Sequence, residues 1–301
     1  MERRKFIKNT AATSGLLTLG GLSLNSCNVA TKKHITILHT NDVHSHVDAF
    51  PNDHADFPGL GGLARRAGLV DSIRKENPNT FLFDAGDIFQ GTPYFNFYGG
   101  ELEFKLMSML NYDATTIGNH DFDNGIDGLL AQMPYAKFNF ISANYDFSNT
   151  VLDGLTQPYK IYEKDGIKVG VYGLGIKLDG LVTKQLYKET VFLDPYELAI
   201  DMETKLKEEE KCDLVICLSH LGYEYKSQKP DDLKLAKKTK YTDLIIGGHT
   251  HTFLDQPTVV SNAVERDILV NQVGCFGVNL GRIDFYFDNS TVNADGYSIK
   301  V

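Results

Sequence analysis

Short apolar runs alternate with longer amphipathic segments from residue 34 to the end of the chain. Several short runs are apolar at consecutive positions, which is typical of strands that are covered on both faces of a sheet. We therefore expect the sheets to lie inside the protein. The predicted strands are residues 35–38, 80–83, 114–117, 138–142, 168–172, 214–218 and 244–246.

The segments between these strands repeat apolar residues at helical spacing and carry charges on the opposite face. Residues 163–170, with Asp165 and Gly166 at their centre, predict a tight hairpin, and residues 259–301 contain short alternating strands. This order predicts an α/β sandwich with helices outside the sheets. The predicted helices are residues 60–77, 100–110, 125–134, 195–211 and 229–239.

The first 26 residues have the pattern of an export signal. Four basic residues within the first eight positions precede an uncharged, leucine-containing stretch, which is too short and too weakly apolar for a membrane span. Residues 3–8 resemble the twin-arginine export motif. Residues 24–27 resemble a bacterial lipobox, although Asn25 replaces the usual small residue. The sequence therefore predicts a periplasmic lipoprotein, anchored to the membrane through Cys27, with a tether over residues 27–33 and one domain over residues 34–301.

The charge balance excludes one class of partner. The chain has 30 basic and 39 acidic residues and a net charge of −9, without a long basic tract, which argues against binding of a nucleic acid polymer. A small phosphate ester remains a possible ligand if metal ions supply positive charge. Beyond the lipobox, Cys212, Cys217 and Cys275 are expected to be free and buried, since their spacing matches no zinc-binding pattern.

Potential metal ligands follow five of the predicted strands, where α/β proteins place their sites. Each residue alone is common at a strand end, but five such motifs together indicate a metal site. In an extended chain, Asp42 and His44 would point the same way, as would His249 and His251. A set rich in imidazoles suits Zn, Mn, Fe or similar ions better than Mg or Ca. The seven candidates are Asp42, His44, Asp87, Asn119, His220, His249 and His251.

These motifs, in this order, resemble the calcineurin-like metallophosphoesterase superfamily, and most closely its bacterial periplasmic 5′-nucleotidases. The similar segments are residues 35–45, 61–65, 86–93, 118–125, 141–144, 218–222 and 245–251. The resemblance covers the chain from residue 34 to its end. It implies a four-layer α/β/β/α sandwich of two mixed sheets flanked by helices, the metallophosphatase fold.

The resemblance also implies roles for these residues. Asp42, His44 and His251 would hold one divalent ion, while Asn119, His220 and His249 would hold a second. Asp87 would bridge the two ions, and a metal-bound water or hydroxide would attack the phosphorus. His120 and Asp123 match the family's catalytic pair, in which the carboxylate orients the imidazole. Asp121 replaces a glutamate that is frequent in this motif and is expected to lie outside the ligand set.

The implied activity is hydrolysis of nucleotides or related phosphate esters. Related activities are 2′,3′-cyclic-nucleotide phosphodiesterase, sugar-nucleotide pyrophosphatase and thiosulfate-ester hydrolysis. The family usually continues into a C-terminal nucleotide-specificity domain, which is expected to be absent here. If the protein uses such a domain, we expect a separate chain to supply it. A protein of another class, a metal-stabilised binding subunit that needs such a partner, is the alternative. The retained ligands and the retained His120–Asp123 pair favour an enzyme.

Overall fold

Two six-stranded mixed sheets lie at the centre of the computed structural model, which describes residues 33–288 and 291–301. The predicted export signal, the predicted lipid attachment site at Cys27 and nearly all of the predicted tether lie outside the described residues. The first sheet has the order β14-β13-β1-β2-β3-β4. Its strands are β1 (Lys33–Thr40), β2 (Thr80–Asp84), β3 (Ala114–Thr115), β4 (Asn139–Phe140), β13 (Asn279–Asp288) and β14 (Thr291–Lys300).

The second sheet has the order β11-β12-β10-β9-β7-β6, with antiparallel strands at both edges of a parallel centre. A small two-stranded sheet joins β5 (Tyr145–Asp146) to β8 (Val191–Phe192). The second sheet's strands are β6 (Tyr159–Lys164), β7 (Ile167–Leu174), β9 (Leu214–Ser219), β10 (Leu244–Gly247), β11 (Thr258–Ser261) and β12 (Asp267–Asn271).

In the part of the chain that the structure describes, seven α-helices connect these strands. Short 3₁₀ or π turns extend or replace helices at His120–Phe122, Met133–Tyr135 and Lys205–Glu209. The helices are α1 (Leu63–Glu76), α2 (Pro93–Tyr98), α3 (Glu101–Met109), α4 (Gly125–Gln132), α5 (Lys184–Tyr187), α6 (Pro195–Thr204) and α7 (Asp232–Ala236). No helix among the described residues combines the length and apolar character needed to cross a bilayer.

Strand alternation explains the four layers. In β1, Ile37 packs with Ile216 in the core between the two sheets, whereas the adjacent Leu38 packs with residues of α1 and α3. In β9, Cys217 likewise points away from the first sheet, toward the core under α6 and α7. Since successive strand residues face opposite sides, strands covered on both faces are apolar throughout. The predicted α/β/β/α sandwich is confirmed, and the three described cysteines are free and buried.

The predicted element bounds differ from the structure where local chemistry interrupts a helix or a strand. The first helix begins at residue 63 because Gly61 and Gly62 adopt positive φ angles of 80° and 98°. The helix predicted over residues 195–211 changes to a π turn at residue 205, and that predicted over 229–239 covers only α7. The hairpin at Asp165 and Gly166 is confirmed as the turn between β6 and β7.

A buried carboxylate that the sequence patterns did not single out connects α6 to the segment before β10. Glu203 is fully buried, and its two oxygens accept hydrogen bonds from the backbone N–H groups of Lys240, Tyr241 and Thr242 at 2.8–3.0 Å. The Thr242 hydroxyl donates a further bond at 2.9 Å. Glu203 thus satisfies a turn that would otherwise bury unpaired donors.

We expect Glu203→Ala to lower the free energy of unfolding by about 3 kcal/mol, because it leaves buried N–H groups without an acceptor. Glu203→Gln, which keeps one carbonyl oxygen, should lose less. Urea unfolding followed by circular dichroism measures both. Glu209→Ala is the matched control, since Glu209 is exposed and pairs only with Lys205 at 3.8 Å among the described residues. Equal stability of Glu203→Ala and the control would contradict this account.

Candidate active site

The carboxyl ends of strands from both sheets meet at one edge of the sandwich, and the predicted ligands lie there. β1, β2 and β3 belong to the first sheet, and β9 and β10 to the second. Each of these five strands is followed by at least one candidate ligand. The structure brings all seven together: Asp42, His44, Asp87, Asn119, His220, His249 and His251.

Asp42, His44 and His251 form the first cluster, in which the ligand atoms lie within 4.8 Å of one another. His44 Nε2 is 3.0 Å from His251 Nε2, and Asp42 Oδ1 is 3.4 Å from that same His251 nitrogen. The Asp42 carboxylate is fixed by the backbone N–H of His249, 3.0 Å from both oxygens. The loop after β10 therefore positions a carboxylate that follows β1.

Asp87, His220 and His249 form the second cluster, again within 4.8 Å. Asn119 joins it, because its side-chain oxygen lies 2.8 Å from His249 Nδ1. Asp87 Oδ1 accepts a hydrogen bond from the His120 backbone N–H at 2.8 Å. Asp87 Oδ2 lies 3.0 Å from His220 Nε2 and 3.9 Å from His44 Nε2. One oxygen of Asp87 thus faces both clusters.

The backbone reaches this arrangement in a way that differs from the prediction. We expected an extended backbone to point Asp42 and His44 the same way, and His249 and His251 likewise. The side chains do gather at the site, but the expectation of an extended backbone is wrong. All four adopt left-handed φ angles between 50° and 71°, as does Asp87 at 56°. Non-glycine residues rarely adopt this conformation, and it concentrates at functional sites where the surroundings enforce it.

Asp121 provides much of that enforcement. Its Oδ2 accepts hydrogen bonds from the backbone N–H groups of Asp87 at 3.1 Å and Gly118 at 2.8 Å, while its Oδ1 accepts from Ile88 at 2.9 Å. Gly118 must remain a glycine, because a Cβ there would lie 2.2 Å from Asp87 Oδ1. Asp121 therefore lies outside the ligand set, as the sequence indicated, and holds the loop that carries Asp87.

The histidine tautomers match a metal-binding role. His220 Nδ1 is 2.7 Å from the Ala85 carbonyl and His44 Nδ1 is 3.1 Å from the Phe89 carbonyl. A carbonyl only accepts hydrogen bonds, so each Nδ1 carries a proton and each Nε2 is the nitrogen that faces the site. His220 Nε2 is buried and lies 3.0 Å from Asp87 Oδ2. A buried nitrogen that faces a carboxylate requires positive charge between them, which either a proton or a divalent ion supplies, so these residues fit divalent ions.

The electrostatics of the clusters also favour cations. Burial is the main influence that lowers the pKa values of His44 and His249, the latter to about 3, which keeps both imidazoles in their neutral form. At His220 burial lowers the pKa, but the negative charges of Asp87 and Asp42 outweigh it and raise the pKa to about 10. The site therefore stabilises positive charge at the position between these carboxylates.

His120 and Asp123 lie beside the clusters, with His120 Nδ1 2.9 Å from Asp123 Oδ2. The hydrogen bond to Asp123 is the main cause that raises the pKa of His120. The His120 ring lies 5.2 Å from the ring of His44, and 37% of its side chain is exposed, whereas His220 is fully buried. The His120–Asp123 pair can therefore reach a small molecule that binds at the clusters.

Asn41 is a supporting residue to which the sequence analysis gave no role. Its amide donates to Asp42 Oδ2 and to the Gly274 carbonyl, both at 2.7 Å, and its oxygen accepts from the Val273 N–H at 3.0 Å. It thereby ties the Asp42 loop to the segment that follows β12. Its position in the sequence, next to a candidate ligand at a strand end, was the available signal.

Comparisons with known proteins agree with this architecture. The family model for calcineurin-like phosphoesterases matches residues 35–253. The trifunctional nucleotide phosphoesterase YfkN of Bacillus subtilis is 36% identical, over 86% of this chain and 18% of that protein. The 5′-nucleotidase of Vibrio vulnificus is 30% identical, over 99% of this chain and 58% of that protein.

Solved structures give the same result. The 5′-nucleotidase precursor of Thermus thermophilus superposes with a TM-score of 0.81 at 34% identity, covering 89% of this chain and 55% of that one. The chain thus spans about half the length, or less, of the relatives described here. The family match covers most of the sandwich and all seven clustered ligands. The chain belongs to the calcineurin-like phosphoesterase family.

Proposed function

We propose that this protein is a two-metal phosphoesterase that hydrolyses nucleotides or related phosphate esters. The observation that carries the proposal is the position of Asp87 Oδ2, which faces His220 of one cluster and His44 of the other. A carboxylate shared by two ligand clusters is what a pair of neighbouring divalent ions requires. The named activities of the Bacillus and Vibrio relatives support nucleotides as the substrate class.

Each ion would have its own ligand set. Asp42, His44 and His251 would hold one, Asn119, His220 and His249 would hold the other, and Asp87 would belong to both. The mixture of imidazole nitrogens with carboxylate and amide oxygens favours Zn, Mn or Fe over Mg or Ca. Divalent ions at such a site supply a Lewis acid for the phosphoryl oxygens and make water a stronger nucleophile near neutral pH.

The protein's own residues supply orientation and a proton. Asp123 accepts a hydrogen bond from His120 Nδ1, which leaves His120 Nε2 free to face the substrate. Because Asp123 favours the protonated imidazole, His120 can donate from Nε2 to a phosphoryl oxygen or to the departing oxygen of the ester. Its partial exposure supports this role, since the leaving group must enter and depart on the open side of the site.

The N-terminal pattern supports export as part of the proposed function. We propose that residues 1–26 direct the chain to the periplasm and that Cys27 anchors it through a lipid, with residues 27–33 as the tether. The Thermus relative is itself described as a precursor, which is in keeping with a cleaved signal. A separate chain that carries a nucleotide-specificity domain stays a prediction.

Divalent metal should stabilise the fold. At a free Mn²⁺ concentration of about 100 times the dissociation constant, each bound ion should add about 2.7 kcal/mol to the free energy of unfolding. Urea unfolding with Mn²⁺ and with a chelator measures the increment. His220→Ala should reduce it, whereas His54→Ala, in a loop outside both clusters, should not. An increment that is the same in both variants would refute the assignment of His220.

Asp87→Ala should lower turnover of AMP and p-nitrophenyl phosphate at least about 10²-fold, because it removes the carboxylate shared by both ligand sets. Purified protein supplied with Mn²⁺ or Zn²⁺ is assayed by phosphate release. Asp53→Ala, an exposed carboxylate in the neighbouring loop, is the control and should retain wild-type turnover. Equal turnover by wild type and Asp87→Ala would favour the alternative of a binding subunit.

Lipid attachment at Cys27 predicts that the mature chain begins at that residue and carries acyl chains. Intact-mass spectrometry of protein expressed in a bacterial host should show this form in the membrane fraction. Cys27→Ser should shift the protein to the soluble periplasmic fraction without changing its turnover, whereas Cys275→Ser should leave the distribution unchanged. A mature chain that begins elsewhere and carries no lipid would refute the anchor.

A further inference from the structure

A pocket of about 340 Å³ lies beyond the carboxyl ends of β7 and β9, at the edge of the sandwich that carries the ligand clusters. One wall comes from the segment after β7, including Ile176 and Leu181, and the facing wall comes from Leu221 and Pro230. Leu221 directly follows His220, whose backbone N–H is bonded to the carbonyl of Leu174 at the end of β7 at 2.7 Å. One wall of the pocket thus continues directly from a residue of the second cluster, and the pocket's size and apolar walls are those of an organic ligand site.

Lys177 and Lys229 bring two ammonium groups to this pocket, and they differ in their acidic partners. Lys177 pairs with Asp179, which also lines the pocket, at 3.5 Å. Lys229 is half-buried and has no carboxylate partner within residues 33–288 and 291–301. Its Nζ lies over the Tyr225 ring, 4.3 Å from the ring centroid. An ammonium that lines a pocket without a carboxylate partner is available to an anionic ligand.

Lys229 also lies within electrostatic reach of the second cluster. Burial lowers its pKa, which indicates that water only partly solvates the ammonium. The Tyr225 ring beneath its Nζ belongs to the same segment, and the Tyr225 hydroxyl donates a hydrogen bond at 3.1 Å to the carbonyl of Leu221, the residue after His220. A positive charge held at this position acts on an anion bound beside the clusters, and partial burial reduces the screening of that interaction.

We propose that this pocket binds the leaving group of the substrate and that Lys229 binds a second anionic group on it. The inference rests on the proposed function and narrows its substrate class to phosphate esters or anhydrides with an apolar or aromatic body and a further phosphate, such as nucleoside diphosphates and bisphosphates. An ammonium on a flexible stem suits this task because it attracts phosphate without demanding one fixed geometry. Hydrolysis of such a diphosphate adds one water across the terminal P–O bond and releases the monophosphate and inorganic phosphate, without a co-reactant.

The test compares three substrates with the Mn²⁺-loaded full chain. AMP carries one phosphate, whereas ADP and adenosine 3′,5′-bisphosphate each carry two. Lys229→Met should lower kcat/KM for at least one of the doubly phosphorylated substrates about tenfold more than for AMP. Lys229→Arg should restore the wild-type ratio, because it keeps the charge. Lys226→Met is the matched control in the same loop, since Lys226 is exposed and does not line the pocket.

A binding measurement makes the result independent of turnover. Calorimetric titration with the non-hydrolysable α,β-methylene analogue of ADP should show about tenfold weaker binding to Lys229→Met than to wild type and to Lys226→Met. Thermal unfolding checks that each variant is folded. If Lys229→Met lowers kcat/KM equally for all three substrates, or for none, and binds the analogue as wild type does, the subsite is refuted while the proposed function stands. If wild type hydrolyses no substrate, the proposed function fails, and the titration alone decides the subsite.

Discussion

The carboxylates of Asp42 and Asp87 are buried next to each other, and the rest of the site compensates for their negative charge. Removing a carboxylate from water is costly unless hydrogen bonds and positive charge compensate for it. Backbone N–H groups of His249 and His120 provide the hydrogen bonds, and each carboxylate faces imidazole nitrogens. The positive charge is the part that divalent ions would supply. The need to keep these negative charges within a few ångströms explains why five strand ends converge on so small a volume.

Convergence is achieved at a cost in backbone conformation, which other residues offset. Five of the seven clustered ligands have left-handed φ angles, which the chain would not adopt without external support. Asp121 holds the segment around Asp87 through backbone N–H groups, and Asn41 ties the Asp42 loop to the segment after β12. The carbonyls of Ala85 and Phe89 orient two of the imidazoles. Positioning is therefore shared between groups that lie outside the two ligand clusters and the rigid sheets beneath them.

The site separates buried groups from accessible ones. His220, Asp42 and Asp87 are shielded, which keeps their geometry fixed and their interactions strong. His120 and Lys229 are partly exposed, at positions from which they can meet a molecule that arrives from solvent. This division links the fold to the proposed chemistry: the core strands fix the ligand sets, and the loops after β3 and β9 present the groups that would distinguish one ester from another.

The sequence by itself determined the order of strands and helices, the four-layer class through its resemblance, and the identity of the residues that gather at the strand ends. Those features follow from periodicity and from motifs, which are local properties of the chain. Only the tertiary structure decided that Asp87 faces both clusters, that Asp42 and His44 converge through left-handed turns and not through an extended strand, and that Glu203 and Asn41 support segments far away in sequence. It also decided that Lys229 lies beside the second cluster without an acidic partner among the described residues. These features depend on distances between residues that are remote in the chain, and such distances are fixed when two sheets pack against each other, not by any local pattern.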